Sequence, residues 1–173
     1  MTPYNNFDVK VLKKIPEELD QFEGSLVIAV VGRDEKPLKS TNAWLDWRVF
    51  GSMTEVIVRG LFKGELGEKC LIPTYGKFSF ERLVMLGGGD LFDDSAYPTS
   101  SEGKERWMKI GAMIEETAQS LKVEKVGLSL PRFDLIDQER AVLQSLQASP
   151  LRADTSFFLA RAHQNFNPAG FNL

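Results

Sequence analysis

Two short runs constrain this chain more than anything else in it. Leu26-Val-Ile-Ala-Val-Val31 is a continuous apolar, β-branched stretch bounded by Gly24 and Gly32. Arg82-Leu-Val-Met-Leu86 is a second, ending at Gly87-Gly88-Gly89. A strand with one wet face alternates apolar and polar residues, whereas a run without alternation belongs to a strand covered on both faces. Such a sheet needs a layer of helices above it and another below.

The rest of the sequence supplies those layers. Phe7, Val9 and Val11 alternate with Asp8 and Lys10, the pattern of a strand with one wet face, and Ile15-Pro16 reads as its end. Asp34 to Lys39 reads as a polar turn. Ser40 or Thr41 is then placed to cap a helix carrying Ala43, Trp44, Leu45, Trp47 and Val49. Gly51-Ser52 interrupts it, and Met53 to Arg59 continues as a second helical stretch despite Val56-Ile57-Val58. Gly64 and Gly67 punctuate the following turn. Lys69 to Ile72 reads as a short strand stopped by Pro73, with Cys70 as a buried, reduced thiol.

Asp90 to Ser101 is the longest expected loop. Thr99-Ser-Ser-Glu102 has capping-box spacing, and Trp107, Ile110, Gly111, Ile114, Ala118 and Leu121 then share one helical face. Val126 to Leu130 predicts a strand closed by Pro131, Asp137 to Gln147 an amphipathic helix, and Thr155 to Ala162 a last strand. The expected fold is therefore α/β: a three-layer α/β/α sandwich around a mixed sheet of about six strands. The 173 residues suit one such domain over residues 1–163, with a tail at 164–173. In that tail Phe166 and Phe171, separated by Pro168 and Gly170, either fray or fill a partner's groove.

Composition narrows the function classes. With 21 basic and 24 acidic residues the net charge is −3, so no basic stripe points to nucleic acid. Residues 1–10 hold no apolar run of the signal-peptide kind, and Leu26 to Val31 is far too short to span a bilayer. A cytoplasmic protein without membrane attachment is expected. Cys70 is the one cysteine and His163 the one histidine, too few for a His/Cys zinc site and a poor start for a nucleophile–histidine pair. G-x-S-x-G, H-E-x-x-H and Walker lysine motifs are not found. Asp90, Asp93 and Asp94 could form an all-oxygen cation site, but a solvated acidic loop is the favoured reading. The residues therefore predict no catalytic set, no metal and no cofactor.

Gly87-Gly88-Gly89 follows a buried strand, where glycine allows close backbone approach and where α/β folds place ligands. A phosphate cradle would need a helix starting at once, and here about ten polar residues intervene. A strand-to-loop turn is the preferred explanation. Trp44, Trp47, Phe50 and Phe62 should mostly be core; two water-facing tryptophans, Trp44 and Trp47, would instead mark a contact surface.

The middle of the chain resembles the amino-terminal domain of the leucyl aminopeptidase (M17) family. The resemblance rests on Leu45-Asp46, Gly51, Gly60-Leu-Phe-Lys-Gly64, Gly67-Glu68 and Leu71-Ile-Pro73. Arg82 to Gly87, Gly111-Ala112 and Leu130-Pro131 continue it, so that it runs from about Leu26 to Leu146. It departs at Ser52, where the family usually has glycine, and at Leu61, where it usually has an acidic residue. Nothing matches the family's metal-binding segment of the type N-T-D-A-E-G-R-L, so the resemblance implies no aminopeptidase activity. It implies a macro-domain-like fold and a role in assembly, through self-association or a protein partner. Macro domains proper bind ADP-ribose through an Asn-rich segment and a glycine-rich loop, neither of which is evident. An aspartate following the equivalent strand often contacts adenine there, and Asp34 stands in that place. The ligand-binding candidates of a nucleotide reading are accordingly Asp34, Gly87, Gly88, Gly89 and Asp90.

Overall fold

The computed structural model describes residues 7–12, 15–93 and 97–159. His163, Asp94 and the tail at 164–173 lie outside them. Among the described residues six strands form one sheet: β1 (Phe7–Val11), β2 (Leu26–Val31), β3 (Lys69–Ile72), β4 (Arg82–Gly87), β5 (Lys125–Ser129) and β6 (Asp154–Leu159). Their order is β1-β6-β5-β2-β4-β3, and all neighbours run parallel except β3, which lies antiparallel to β4 at the edge.

The helices of the described residues are α1 (Ile15–Asp20), α2 (Ser40–Arg48), α3 (Ser52–Val58), α4 (Ser101–Ser120) and α5 (Ile136–Ala148). Side chains of β2 alternate between two cores, as a strand covered on both faces must. Leu26, Ile28 and Val30 pack with Trp107, Ile110 and Ile114 of α4 and with Val142 and Leu146 of α5. Val27, Ala29 and Val31 pack with Ile15 and Leu19 of α1, Trp44 and Leu45 of α2, and Met53 of α3. This is the expected sandwich, with α4 and α5 on one face and α1 to α3 on the other.

Four local readings change. Ile15-Pro16 starts a short helix rather than merely ending a strand: proline is tolerated in a first turn, and Ile15 and Leu19, one turn apart, are both fully buried. Neither Ser40 nor Thr41 caps α2. Lys39 holds the cap position without a side-chain bond, Ser40 has a positive φ, and the buried Thr41 hydroxyl has no partner among the described residues. The expected capping box of α4 is replaced by a single cap one residue on: Ser100 accepts from the Gly103 N–H at 2.9 Å, and the third helical position has no carboxylate to reciprocate. Cys70 is half-buried, since β3 is an edge strand with one side uncovered.

Asp46 ties α2 to α3. Its carboxylate accepts from the backbone N–H of Met53 (2.8 Å) and Thr54 (3.1 Å) and from the Thr54 hydroxyl (2.5 Å). It thereby satisfies orphan donors of the α3 first turn that Gly51, with no side chain, leaves open. The helices place Trp44 and Phe62 in the core, both 1% exposed, but leave Trp47 and Phe50 in water.

Candidate functional site

The chain crosses from one side of β2 to the other between β4 and β5. The C-terminal ends of these strands therefore open onto the crevice where such sheets bind ligands. A cavity of about 380 Å³ lies there, lined by Asp34, Glu35 and Lys39 from the segment after β2, Phe92 and Tyr97 from the segment after β4, and Arg132 from the segment after β5. A second cavity of about 350 Å³ is walled by Pro37, Leu38, Ile57 and Val58. Glu35 belongs to the walls of both.

Glu35 is the unusual group. Its side chain is buried and accepts from the Lys39 N–H (3.3 Å) and the Asn42 amide (3.2 and 3.3 Å). No ion pair reaches it among the described residues. Burial penalises its charged form and outweighs these bonds, pushing its pKa up to about 8. Beneath it, Asn42 donates to the Val30 carbonyl (2.9 Å) and accepts from the Ser129 hydroxyl (2.6 Å). A buried polar chain thus runs from β5 through α2 to the cavity, each member holding the next in one orientation.

The sequence candidates are distributed unevenly around this site. Asp34 lines the larger cavity, but its carboxylate accepts from the N–H of Leu91 (3.0 Å) and Phe92 (2.7 Å), fastening the β2 and β4 ends together. Asp90 faces Arg33, whose Nε donates to it at 2.8 Å and whose second nitrogen forms a close ion pair with it. The guanidinium holds the Asp90 carboxyl below its ordinary range, and Arg33 also pairs with Glu65 at 3.3 Å. Among the described residues no group of three His, Cys, Asp or Glu side chains is placed to hold a metal ion.

The three glycines meet other parts of the chain instead of lining the cavity. A Cβ on Gly87 would lie 2.0 Å from the Glu65 carbonyl oxygen, and one on Gly88 2.9 Å from Leu91. Gly87 donates to Glu68 O (2.8 Å) and accepts from Gly67 N (3.0 Å), while Gly89 donates to Gly64 O (2.9 Å). Residues 64–68 therefore run alongside the end of β4 like a short extra rung. The carboxylate of Glu68 gathers the N–H groups of Lys63 (2.9 Å), Gly64 (2.9 Å) and Glu65 (3.1 Å) to shape that rung. Gly64 takes φ +83°, and a Cβ there would meet Arg33 backbone at 2.8 Å.

Sequence reasoning did not single out Glu35, Asn42 or Ser129. Asn42 carried a signal: it is a polar residue on the same helical side as Leu45, where a buried amide must find partners. Glu35 carried none, being one acid in a polar turn.

Comparison with known proteins places this geometry. Residues 27–152 match the model of the cytosol aminopeptidase family, N-terminal domain. A curated protein of Thermosynechococcus vestitus named "Probable cytosol aminopeptidase" is 25% identical over 150 residues, covering 84% of this chain and 28% of that protein. The chain thus spans little more than a quarter of the length of that relative. A tomato leucine aminopeptidase has the same fold at 12% identity and a TM-score of 0.56, covering 96% of this chain and 34% of that one. An Oceanobacillus iheyensis macrodomain solved with ADP matches at 8% identity and a TM-score of 0.61, covering 95% of this chain and 88% of its own. Among the described residues no helix is long and apolar enough to cross a membrane. The glycine-and-glutamate rung and the Asp46 tie occupy the matched stretch, and the chain belongs to the cytosol aminopeptidase family through its N-terminal domain.

Proposed function

We propose that this domain is a non-catalytic assembly module that self-associates around the β3 edge of its sheet. The observation that carries this reading is the apolar surface there. Phe50 is 72% exposed, Leu71 67% and Tyr75 56%. Phe50 and Tyr75 stand edge-to-face with ring centroids 5.7 Å apart. Among the described residues β3 pairs with β4 alone, which leaves its outer N–H and C=O groups open to another strand. Burying a large apolar side chain is worth about 1.5–3 kcal/mol, so a few of these residues provide the core of an interface. Leu71 shares its sheet face with Lys69 on the α4 side, whereas Cys70 and Ile72 turn inward on the other, so an interface would grip the edge from both faces.

The paired variants Phe50→Asp and Leu71→Lys test this. Both sites are exposed, so the monomer should keep its stability while self-association weakens at least tenfold in sedimentation velocity. Unchanged association in both variants would contradict the proposed edge.

A second reading, binding of ADP-ribose or another nucleotide, is supported by Asp34 on the cavity wall and by the fold shared with a macrodomain solved with ADP. The engagement of Asp34, Asp90 and the three glycines in contacts within the chain weighs against it. Nucleotide at 100 times its Kd would add about 2.7 kcal/mol of stability, so a flat thermal-shift panel counts against this reading.

A further inference from the structure

We infer that two copies of the chain pair β3 with β3 in antiparallel fashion across a two-fold axis at Cys70, so that one continuous sheet runs through both. The pairing rests on the self-association proposed above and gives it a geometry. Which groups of β3 point outward follows from its bonds to β4. Gly87 N donates to Glu68 O, and the register sets Lys69 against Leu86, Cys70 against Met85, Leu71 against Val84 and Ile72 against Leu83. Bonding alternates along an antiparallel pair, so Glu68, Cys70 and Ile72 direct their backbone groups to β4. Lys69 and Leu71 direct theirs away from it, where no second strand meets them among the described residues.

The sequence then selects the register. With Lys69 on the axis two ammonium groups would stand directly opposite, which is unfavourable. With Leu71 or Ile72 on the axis, an outward residue would face Pro73, which has no N–H to give. With Cys70 on the axis, Lys69 of each copy faces Leu71 of the other, and every outward N–H of β3 finds an outward carbonyl. The side chains fit this register as well. Leu71 is exposed and lies beside the aliphatic stem of the opposite Lys69, whose ammonium pairs with Glu116 of its own α4 at 3.9 Å. Leu66 precedes β3 and Tyr75 follows it, so the antiparallel arrangement turns the Phe50–Tyr75 pair of one copy toward the exposed Leu66 of the other. The edge is thus complementary to itself, as a two-fold interface between identical chains requires.

Amide hydrogen exchange of the full chain, resolved by residue in mass spectrometry, and cross-linking through its one cysteine test the pairing. Between 1 and 100 µM the Lys69 and Leu71 amides should slow at least tenfold, while those of Cys70 and Ile72, already bonded to β4, change little. Facing Cys70 residues form a non-hydrogen-bonded pair with Cα atoms about 4.5 Å apart, within reach of a disulfide. Diamide, taking two electrons and two protons from the facing thiols, should therefore give a disulfide-linked dimer that a reducing agent splits. The double variant Cys70→Ser, Leu71→Cys should still associate at 100 µM but stay unlinked, because diagonal neighbours lie roughly 7–8 Å apart. Association in sedimentation velocity without protection of the Lys69 and Leu71 amides would overturn the pairing and leave self-association standing. So would a link through Leu71→Cys where Cys70 gives none. Absence of any association would overturn both.

Discussion

Gly87→Ala is expected to destabilise the domain by about 3 kcal/mol or more, at the upper end of what overpacking costs. The added methyl would lie 2.0 Å from a backbone carbonyl oxygen, that of Glu65, and 2.8 Å from the Gly64 carbonyl carbon. Flexible side chains can swing away from such a contact, but this backbone is held by Gly67 N to Gly87 O, Gly87 N to Glu68 O and the Glu68 carboxylate. Relief therefore requires breaking the rung. Gly51→Ala is the control: it has a positive φ of 76° but nothing within 4 Å, so it should cost only about 1 kcal/mol of backbone strain. Urea denaturation of both variants checks the difference. Equal, mild effects would mean that residues 64–68 do not close onto β4.

Stability is expected to fall as pH rises from about 4.5 to 8, opposite to the behaviour of a domain dominated by paired carboxylates. Glu35 binds its proton more tightly folded, with a pKa about 8, than unfolded, at 4.5. Its contribution is fully present below 4.5 and is lost as pH rises through 8. The slope is about 1.4 kcal/mol per pH unit, on the order of 4–5 kcal/mol across the window. Two other shifted acids act elsewhere. At Glu115 burial pulls upward, but the N–H groups of Arg152 and Ala153 and the Gln119 amide outweigh it and leave its pKa lowered. Asp90 is lowered by the hydrogen bond from Arg33. Both contribute above their unfolded values and lose that contribution as pH falls through their folded ones, below the Glu35 window. The charged groups that line the same cavities as Glu35 are Asp34, Lys36, Lys39, Arg132 and Asp134. Melting of the native chain and of Glu35→Gln at pH 5, 6, 7 and 8 isolates the effect: the slope should flatten in the variant. Parallel curves would show that Glu35 is not titrating as its burial demands.

The sheet was legible because its residues report their surroundings directly. An apolar run without alternation, such as Leu26 to Val31, has only one kind of place to go, and the helical face Trp107–Ile110–Ile114–Ala118 reports a second layer. Short elements were less legible. The six-residue helix α1 is held by the burial of Ile15 and Leu19 rather than by local preference, and Pro16 masks it as a break. The glycine triplet was read as a strand-to-loop turn, and what lies against Gly87 and Gly89 is the chain's own residues 64–68, a long-range pairing that no local pattern encodes. The Asp34 carboxylate and the Asp90–Arg33 pair likewise depend on strand ends brought together by topology. Glu35 was invisible for a related reason: the partners that hold its buried carboxylate, Lys39 and Asn42, are set in place by the packing of α2 on the sheet.

The measurement that bears most directly on assembly at the β3 edge is sedimentation velocity of the full chain from 1 to 100 µM. A defined oligomer is expected, its population growing with concentration and its mass a small multiple of the chain. A species that stays monomeric across that range would contradict assembly at this edge, leaving Phe50, Leu71 and Tyr75 as surface without a self-partner.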